Sequence, residues 1–462
     1  MCLIFFAPLS GIGQAGKESE PPPVGQITNI VCKNDPAMSY ALYLPTTYAP
    51  GKNGPIIYFF DPNGRGRRPL ELYKEIAEKY GFVIVGSNNS RNFSPDQSRS
   101  VNAIWLDTHL RLALDEHRIY TSGFSGGARV AGAMALGCPP CRIAGVIAQG
   151  AGYPNNRPAA DIKLLYYLAV GDRDFNWPEV VTIRREREEA GLPCRVRVFS
   201  GTHEWAPAEV FEDAVQWLTL KAMQAGDLPP DAAFIDRMLR RRQAEADEAE
   251  KKQDAISQFL TYRSMTSDFA GLRDTAESEK KLAALKNSSA LKAALKSERE
   301  QIAQQSALES EVSPNLHTYM NGSADDTMTL GNEIVQAMHR LDYQAEHSRN
   351  ETERLVSKRA ADDLWVAGIE AGQEELESRH FKKADACFEL ISRFRDEPWP
   401  LLLLAESHAL AGNRKQAVRD LQQAVRRGLT DAEAIESDSR LEALKPDADF
   451  QKLVQELEHK KR

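Results

Sequence analysis

Arg118-Ile119-Tyr120-Thr121-Ser122-Gly123-Phe124-Ser125-Gly126-Gly127-Ala128-Arg129-Val130-Ala131-Gly132 reads as a strand that turns at once into a helix. The stretch 118–122 is of strand type. The stretch 128–135 is rich in Ala and Gly, which lets a helix lie close on a sheet. Between them, Gly123-Phe124-Ser125-Gly126-Gly127 has the Gly-x-Ser-x-Gly spacing of a nucleophile elbow. In such an elbow the serine takes a strained backbone position and the glycines leave room for the turn. The serine oxygen then stands above the sheet, and the next amide N–H faces the reacting carbonyl. Ser125 is therefore the candidate nucleophile and Gly126 N–H a candidate oxyanion donor. The plain alternative is a glycine-rich turn into a helix.

An elbow serine needs a general base, and the base needs an orienting acid. In folds with this elbow, the acid and then the histidine follow the serine along the chain. The apolar run Leu164 to Val170 ends in Gly171-Asp172-Arg173-Asp174-Phe175-Asn176. The run Arg195 to Phe199 ends in Ser200-Gly201-Thr202-His203-Glu204-Trp205. His203 is the only histidine between Ser125 and Gly226, and it is the candidate base. Asp174 is preferred to Asp172 as the acid, because the loop must reach from the strand end towards His203. Asp172 reads as a cap for the next helix. Ile56 to Phe60 runs into Asp61-Pro62-Asn63-Gly64-Arg65-Gly66, a turn-forming loop. The N–H of Asn63 or Gly64 is the expected second oxyanion donor. Phe124, Phe175, Trp177 and Trp205 flank these residues. Phe124 and Trp205 are candidates for an apolar acyl site, with ordinary core packing as the alternative. Arg65, Arg67 and Arg68 read first as a solvated loop and second as an anion site.

An alternating stretch at 39–44 ends at Pro45, and short apolar runs recur at 82–85 and 145–147 as well as at the stretches above. Helical patterns fill 70–80, 104–113, 128–136, 177–190 and 207–223. Continuous apolar strands alternating with helices predict an α/β fold, a doubly wound, mostly parallel sheet. Near Gly226 the grammar changes to charged, alanine-rich helix formers. The expected organisation is a signal segment and linker at 1–24 and an α/β domain at 25–226. A charged helical region at 227–360 and a helical repeat at 361–462 follow. Ser313 to Asp326 reads as a loop. Ala384 and Ala417 stand close to one tetratricopeptide period apart, within the echoing runs Phe381–Ala386 and Asn413–Val418.

With 462 residues, two or three domains are expected. The net charge of −8, with basic residues interleaved among acids, gives no reason to expect a nucleic-acid partner. No apolar run reaches about 18 residues, so no transmembrane helix is expected. Cys2 to Leu9, followed by small residues, fits the core and cleavage region of a secretory signal, though it lacks a basic start. Export to a periplasm or the medium is expected, with a cytoplasmic protein as the alternative. Of six cysteines, Cys138 and Cys141 form a Cys-Pro-Pro-Cys run. It follows a helix instead of opening one, and no second ligand pair sits at metal spacing. A local disulfide or two buried thiols is the reading, with no metal site.

The stretch from about Cys32 to Met223 resembles the polyhydroxybutyrate-depolymerase-like and feruloyl-esterase-like branch of the α/β-hydrolases. The residues that carry the resemblance are Tyr40-Ala41-Leu42-Tyr43-Leu44-Pro45, Phe60-Asp61-Pro62-Asn63-Gly64, Gly123-Phe124-Ser125-Gly126-Gly127 and Gly201-Thr202-His203-Glu204-Trp205. It implies hydrolysis of small or polymeric carboxylic esters through an acyl-enzyme. Ser125 would be nucleophile, His203 base and Asp174 acid, without metal or organic cofactor. Asp61-Pro62-Asn63-Gly64 stands where better-known members carry His-Gly. Two other readings remain at this stage: a scaffold that binds a protein through the C-terminal repeat, and a serine peptidase of the same fold.

Overall fold

The structure, a computed structural model, describes residues 22–138, 141–154, 162–321 and 324–460. The apolar N-terminal run and its expected signal function lie outside the described residues. The chain divides into two compact units, one ending at Glu300 and the other beginning at Gln301.

The first unit is built on eight strands. They are β1 (Ile27–Val31), β2 (Ser39–Tyr43), β3 (Gly54–Phe60), β4 (Val83–Ser87), β5 (Leu114–Phe124), β6 (Gly145–Gln149), β7 (Leu165–Gly171) and β8 (Cys194–Phe199). They form one sheet in the order β1-β2-β4-β3-β5-β6-β7-β8. β2 is antiparallel to β1 and β4, and every other pair is parallel. β1 was not legible in the sequence: it is a half-exposed edge, and its Val31 is 52 % exposed. Four helices cross between strands, α1 (Arg67–Tyr80), α2 (Gln97–Arg111), α3 (Gly126–Gly137) and α4 (Trp177–Glu189), and α5 (Ala208–Ala225) follows the last strand.

Side-chain alternation along β3 shows that both faces are covered. Ile57 and Phe59 pack with Leu70 and Tyr73 of α1 and with Phe211 and Trp217 of α5. Tyr58 points the other way, where its hydroxyl meets Thr108 Oγ1 of α2 at 2.7 Å. On β5, Thr121 Oγ1 donates to Ala131 O of α3 on that same face. Burial on two faces explains why these strands are continuous apolar runs. The first unit is thus a mostly parallel α/β sheet covered by helices, and a helical region follows it.

The first unit does not stop at Gly226. Helices α6 (Ala232–Lys251), α7 (Ala255–Asp268) and α8 (Ala276–Asn287) continue it. Phe234, Ile235 and Met238 of α6 bury Leu220 and Met223 of α5. Asp213 of α5, 1 % exposed, meets Arg195 and Arg197 of β8, each at 3.0 Å, and Arg242 of α6. These cations hold its carboxyl well below the usual range against the opposing effect of burial. Trp217 Nε1 donates to Asp268 at the end of α7 (3.0 Å). The change of composition at Gly226 therefore marks a change of surface, not the end of the core.

Helix α9 (Ser289–Asn321) passes the division at Glu300. The second unit continues through α10 (Ala324–His347), α11 (Glu351–Glu377), α12 (Phe381–Ser392), α13 (Trp399–Leu410), α14 (Arg414–Arg426), α15 (Ala432–Ser437) and α16 (Ala448–Lys460). The loop expected from Ser313 is instead helix as far as Asn321, with Pro314 inside it. Val312 and Leu316 are buried in the core of this unit, and Ser313 Oγ donates back to Glu309 O (2.8 Å). Tertiary burial overrides the local propensity of Pro and Asn here. Ala384 on α12 and Ala417 on α14 are both fully buried. Among the described residues, no helix is long and apolar enough to cross a membrane.

Candidate active site

The parallel register puts the C-terminal ends of β3, β5, β6, β7 and β8 along one edge of the sheet. Phe60 pairs with Gly123, Phe124 with Gln149, and Gly171 with Phe199. The loops leaving these ends must converge there, the usual place for a site in an open α/β sheet.

At the end of β5 the chain turns into α3 at Ser125, whose φ of 53° and ψ of −126° form a strained conformation for a residue with a side chain. The turn is tight. A Cβ on Gly123 would overlap Gly127 O, and one on Gly127 would overlap Phe60 O. Ser125 N–H donates to Gln149 O (2.8 Å), which ties the elbow to the neighbouring strand. Ser125 thus sits at the N-terminus of α3, where free N–H groups and the helix dipole favour negative charge.

His203 Nε2 lies 2.9 Å from Ser125 Oγ, and its Nδ1 lies 2.9 Å from Asp174 Oδ1. Asp174 is fully buried, and His203 is 18 % exposed. The same carboxylate oxygen accepts Asn176 N–H at 2.8 Å. Asp172 does not approach His203 in this way. It accepts Gly201 N–H at 3.0 Å, and Arg173 N–H donates to Gly201 O at 2.9 Å. The two loops after β7 and β8 are thereby stitched together, which fixes the distance between Asp174 and His203.

A buried network beneath the imidazole was not foreseen. Gln149 Oε1 accepts Ala206 N–H (3.0 Å) and the Tyr73 hydroxyl (2.9 Å), and Gln149 Nε2 donates to Ser122 Oγ (3.1 Å). Gln149 thus joins the base loop to β5 and α1. Its only trace in the sequence is a polar residue at the end of an apolar strand run. The aromatic candidates surround the imidazole. Phe124 and Phe175 lie 4.5 and 4.2 Å from the His203 ring, centroid to centroid, and Trp205 lies 5.5 Å from Phe124. Trp205 also packs against Phe59 in a tilted arrangement and against Tyr73 edge-on, so part of its surface belongs to the core.

The loop after β3 is organised by Asp61, which is fully buried. Its Oδ1 accepts the Asn63 N–H at 2.8 Å, and its carbonyl accepts the Gly64 N–H at 3.0 Å. Arg65 grips the carboxylate with two bonds of 3.0 and 3.1 Å. Arg67 pairs with Glu71. Both expected oxyanion amides are thus bonded within their own loop, while Gly126 is in place beside Ser125.

Cys138 and Cys141 are joined in a disulfide. Among the described residues, no group of three or more His, Cys, Asp or Glu side chains is placed to hold a metal ion. A cavity of about 310 Å³ in the first unit is walled by Arg184, Arg195, Arg197, Arg263, Glu188 and Glu298, not by the Ser125 cluster. Its arginines are paired with carboxylates, as Arg184 with Glu298 at 2.6 Å and Arg263 with Glu188 at 2.6 Å.

No family model matches the chain, and no curated protein does. Among solved structures, it is similar to an S-formylglutathione hydrolase from Staphylococcus aureus, with 11 % identity over 43 % of this chain and 99 % of that one, at a TM-score of 0.35. An esterase from the Planctomycetes species Thermogutta terrifontis matches at 15 % identity over 47 % of this chain and 98 % of that one, with a TM-score of 0.34. A ferulic acid esterase matches at 15 % identity over 41 % and 94 %, with a TM-score of 0.32.

Proposed function

We propose that the protein is a serine hydrolase that cleaves carboxylic esters through an acyl-enzyme. The observation that carries this reading is the unbroken line from Ser125 Oγ through His203 to Asp174, with both contacts at 2.9 Å. It begins at a strained serine at a helix N-terminus. Chance surface contacts do not combine strain, burial and this order.

In the proposed reaction, Ser125 Oγ attacks the ester carbonyl carbon while His203 Nε2 takes its proton. Asp174 holds the imidazole by Nδ1–H, fixing the tautomer and stabilising the imidazolium as it forms. Gly126 N–H donates to the oxyanion. The imidazolium then protonates the departing alcohol, leaving an acyl group on Ser125. Water, deprotonated by His203, attacks that carbonyl and releases the acid. Phe124 and Trp205 line the acyl side, which favours apolar or aromatic acids. The helical hairpins of 361–462 are read as a tetratricopeptide-like array that holds a protein partner, and export remains the proposed location.

The test is turnover of short-chain aryl esters by the full chain, with Ser125→Ala and His203→Ala beside it. Each variant is expected to lose about 10⁴-fold or more in kcat at unchanged fold. An inert wild type, or variants as active as wild type, would sink the reading.

A further inference from the structure

An acyl-transfer site with only one oxyanion donor is incomplete. Each such donor contributes roughly 10²–10³-fold in rate. The loop after β3 is where the second is expected, yet its amides are committed: Pro62 has none, Asn63 N–H is held by Asp61 Oδ1, and Gly64 N–H by Asp61 O. Asp61 is itself buried and locked by Arg65, so freeing the Asn63 amide would strip a hydrogen bond from a buried carboxylate.

The neighbouring loop offers what this one withholds. After β4 the chain runs Asn88-Asn89-Ser90-Arg91-Asn92-Phe93. The side chain of Asn92 lies directly on Gly126: a Cβ there would overlap Asn92 Oδ1 and stand 2.6 Å from its Nδ2. Gly126 is therefore glycine for a reason beyond the turn, since it makes room for a carboxamide beside the very N–H that faces the oxyanion. That carboxamide is half-buried, and among the described residues it makes no hydrogen bond to another protein group. Its backbone is nonetheless fastened. Asn92 N–H donates to Pro62 O at 2.8 Å, and Gln97 Nε2 holds Arg91 O at 2.8 Å. The next residue, Phe93, is forced to a φ of 61°, which a bulky side chain rarely adopts. A backbone strained at Phe93 and pinned at both ends of the Arg91–Asn92 peptide, carrying an amide with unspent donors, is the arrangement expected where positioning matters.

We propose that the Asn92 side-chain amide, seated on Gly126, is the second oxyanion donor, in place of the β3 loop. Nδ2–H and Gly126 N–H would converge on the carbonyl oxygen as it gains charge, and Asp61 would serve to hold the Asn63 and Gly64 amides out of the way. The proposal rests on the serine-hydrolase reading given above.

The experiment compares the full-length wild type with Asn92→Leu, Asn92→Asp and Gly126→Ala. It measures kcat and KM on a short-chain aryl ester, the rate of phosphonylation by a fluorophosphonate, and the melting temperature. Both Asn92 variants should lose about 100-fold in kcat with KM within about threefold of wild type, and phosphonylation should slow in parallel. Gly126→Ala keeps its N–H but displaces the carboxamide, and should show the same loss. The isosteric Asn92→Asp keeps the side chain's volume, so it reads out the donor even where Asn92→Leu fails to fold. Asn92→Asp with kcat within about threefold of wild type overturns the proposal while leaving labelled wild type as support for the hydrolase. A wild type that neither labels nor turns over overturns both.

Discussion

At the scale of single residues, the contact of Ser125, His203 and Asp174 was legible because it obeys the direction of the chain. In a parallel sheet, every loop that follows a strand end opens on the same edge, so a serine, an aspartate and a histidine after three such strands lie along one edge, within reach of one another once their loops are tied together. Asp174 in place of Asp172 followed from reach, and the Asp172–Gly201 bond gives the other carboxylate its own task. Gln149 and Asn92 were not legible, because each acts through a loop distant in sequence. The bond that holds the Asn63 amide in the β3 loop, from its N–H to the Asp61 carboxylate, is likewise one that no pattern reveals. Two substitutions test this level. Asp174→Asn should keep the fold and lower kcat about 10⁴-fold, since the amide favours the wrong imidazole tautomer. Gln149→Leu removes the acceptor for Ala206 N–H and should cost about 10–100-fold through a displaced His203 loop. Steady-state kinetics on both, with circular dichroism as the check on folding, decides the matter.

Among the elements, the α/β alternation was readable from the burial it demands: inner strands covered on both faces read as continuous apolar runs, while β2 and β8 read as alternating ones. The edge strand β1, half-exposed, carries no such signal. The helices after Gly226 were readable as helices, but not as part of the first unit. Their attachment rests on a few buried groups within a charged sequence, Phe234 and Met238 on one side and Arg242 on Asp213 on the other. Asp213→Ala would leave buried guanidinium groups without their carboxylate, at a cost of about 3–5 kcal/mol in denaturant unfolding. Because its folded pKa is depressed, the stabilisation from Asp213 is present above the ordinary carboxylate pKa. It is lost as pH falls through the folded value. A chain ended at Gly226 exposes Leu220 and Met223 and loses the Arg242 partner. It should aggregate, whereas one ended near Glu300 keeps them, as expression and size-exclusion chromatography would show.

Over the whole molecule, two units with separate cores imply separate responses to pH. In the second unit, burial pushes the Glu406 carboxyl up to about 7, with Asp438 adding to the effect and Arg440 opposing it. Glu309 is also raised to about 7, by burial and by Asp363. A raised carboxyl binds its proton more tightly when folded, so its contribution is complete below about pH 4.5 and is lost as pH rises through about 7. Denaturant midpoints of the second unit should fall from pH 5.5 to pH 8, and Glu406→Gln should flatten that slope. The position of the boundary between the units escaped the sequence because composition tracks solvent exposure, while unit membership tracks which core a helix buries. Intact mass after exposure of the full chain to a fluorophosphonate decides whether Ser125 is an activated serine. One adduct on the wild type and none on Ser125→Ala is the expected result. A folded wild type without adduct, or an adduct that persists in the variant, would mean that Ser125 is not an activated nucleophile.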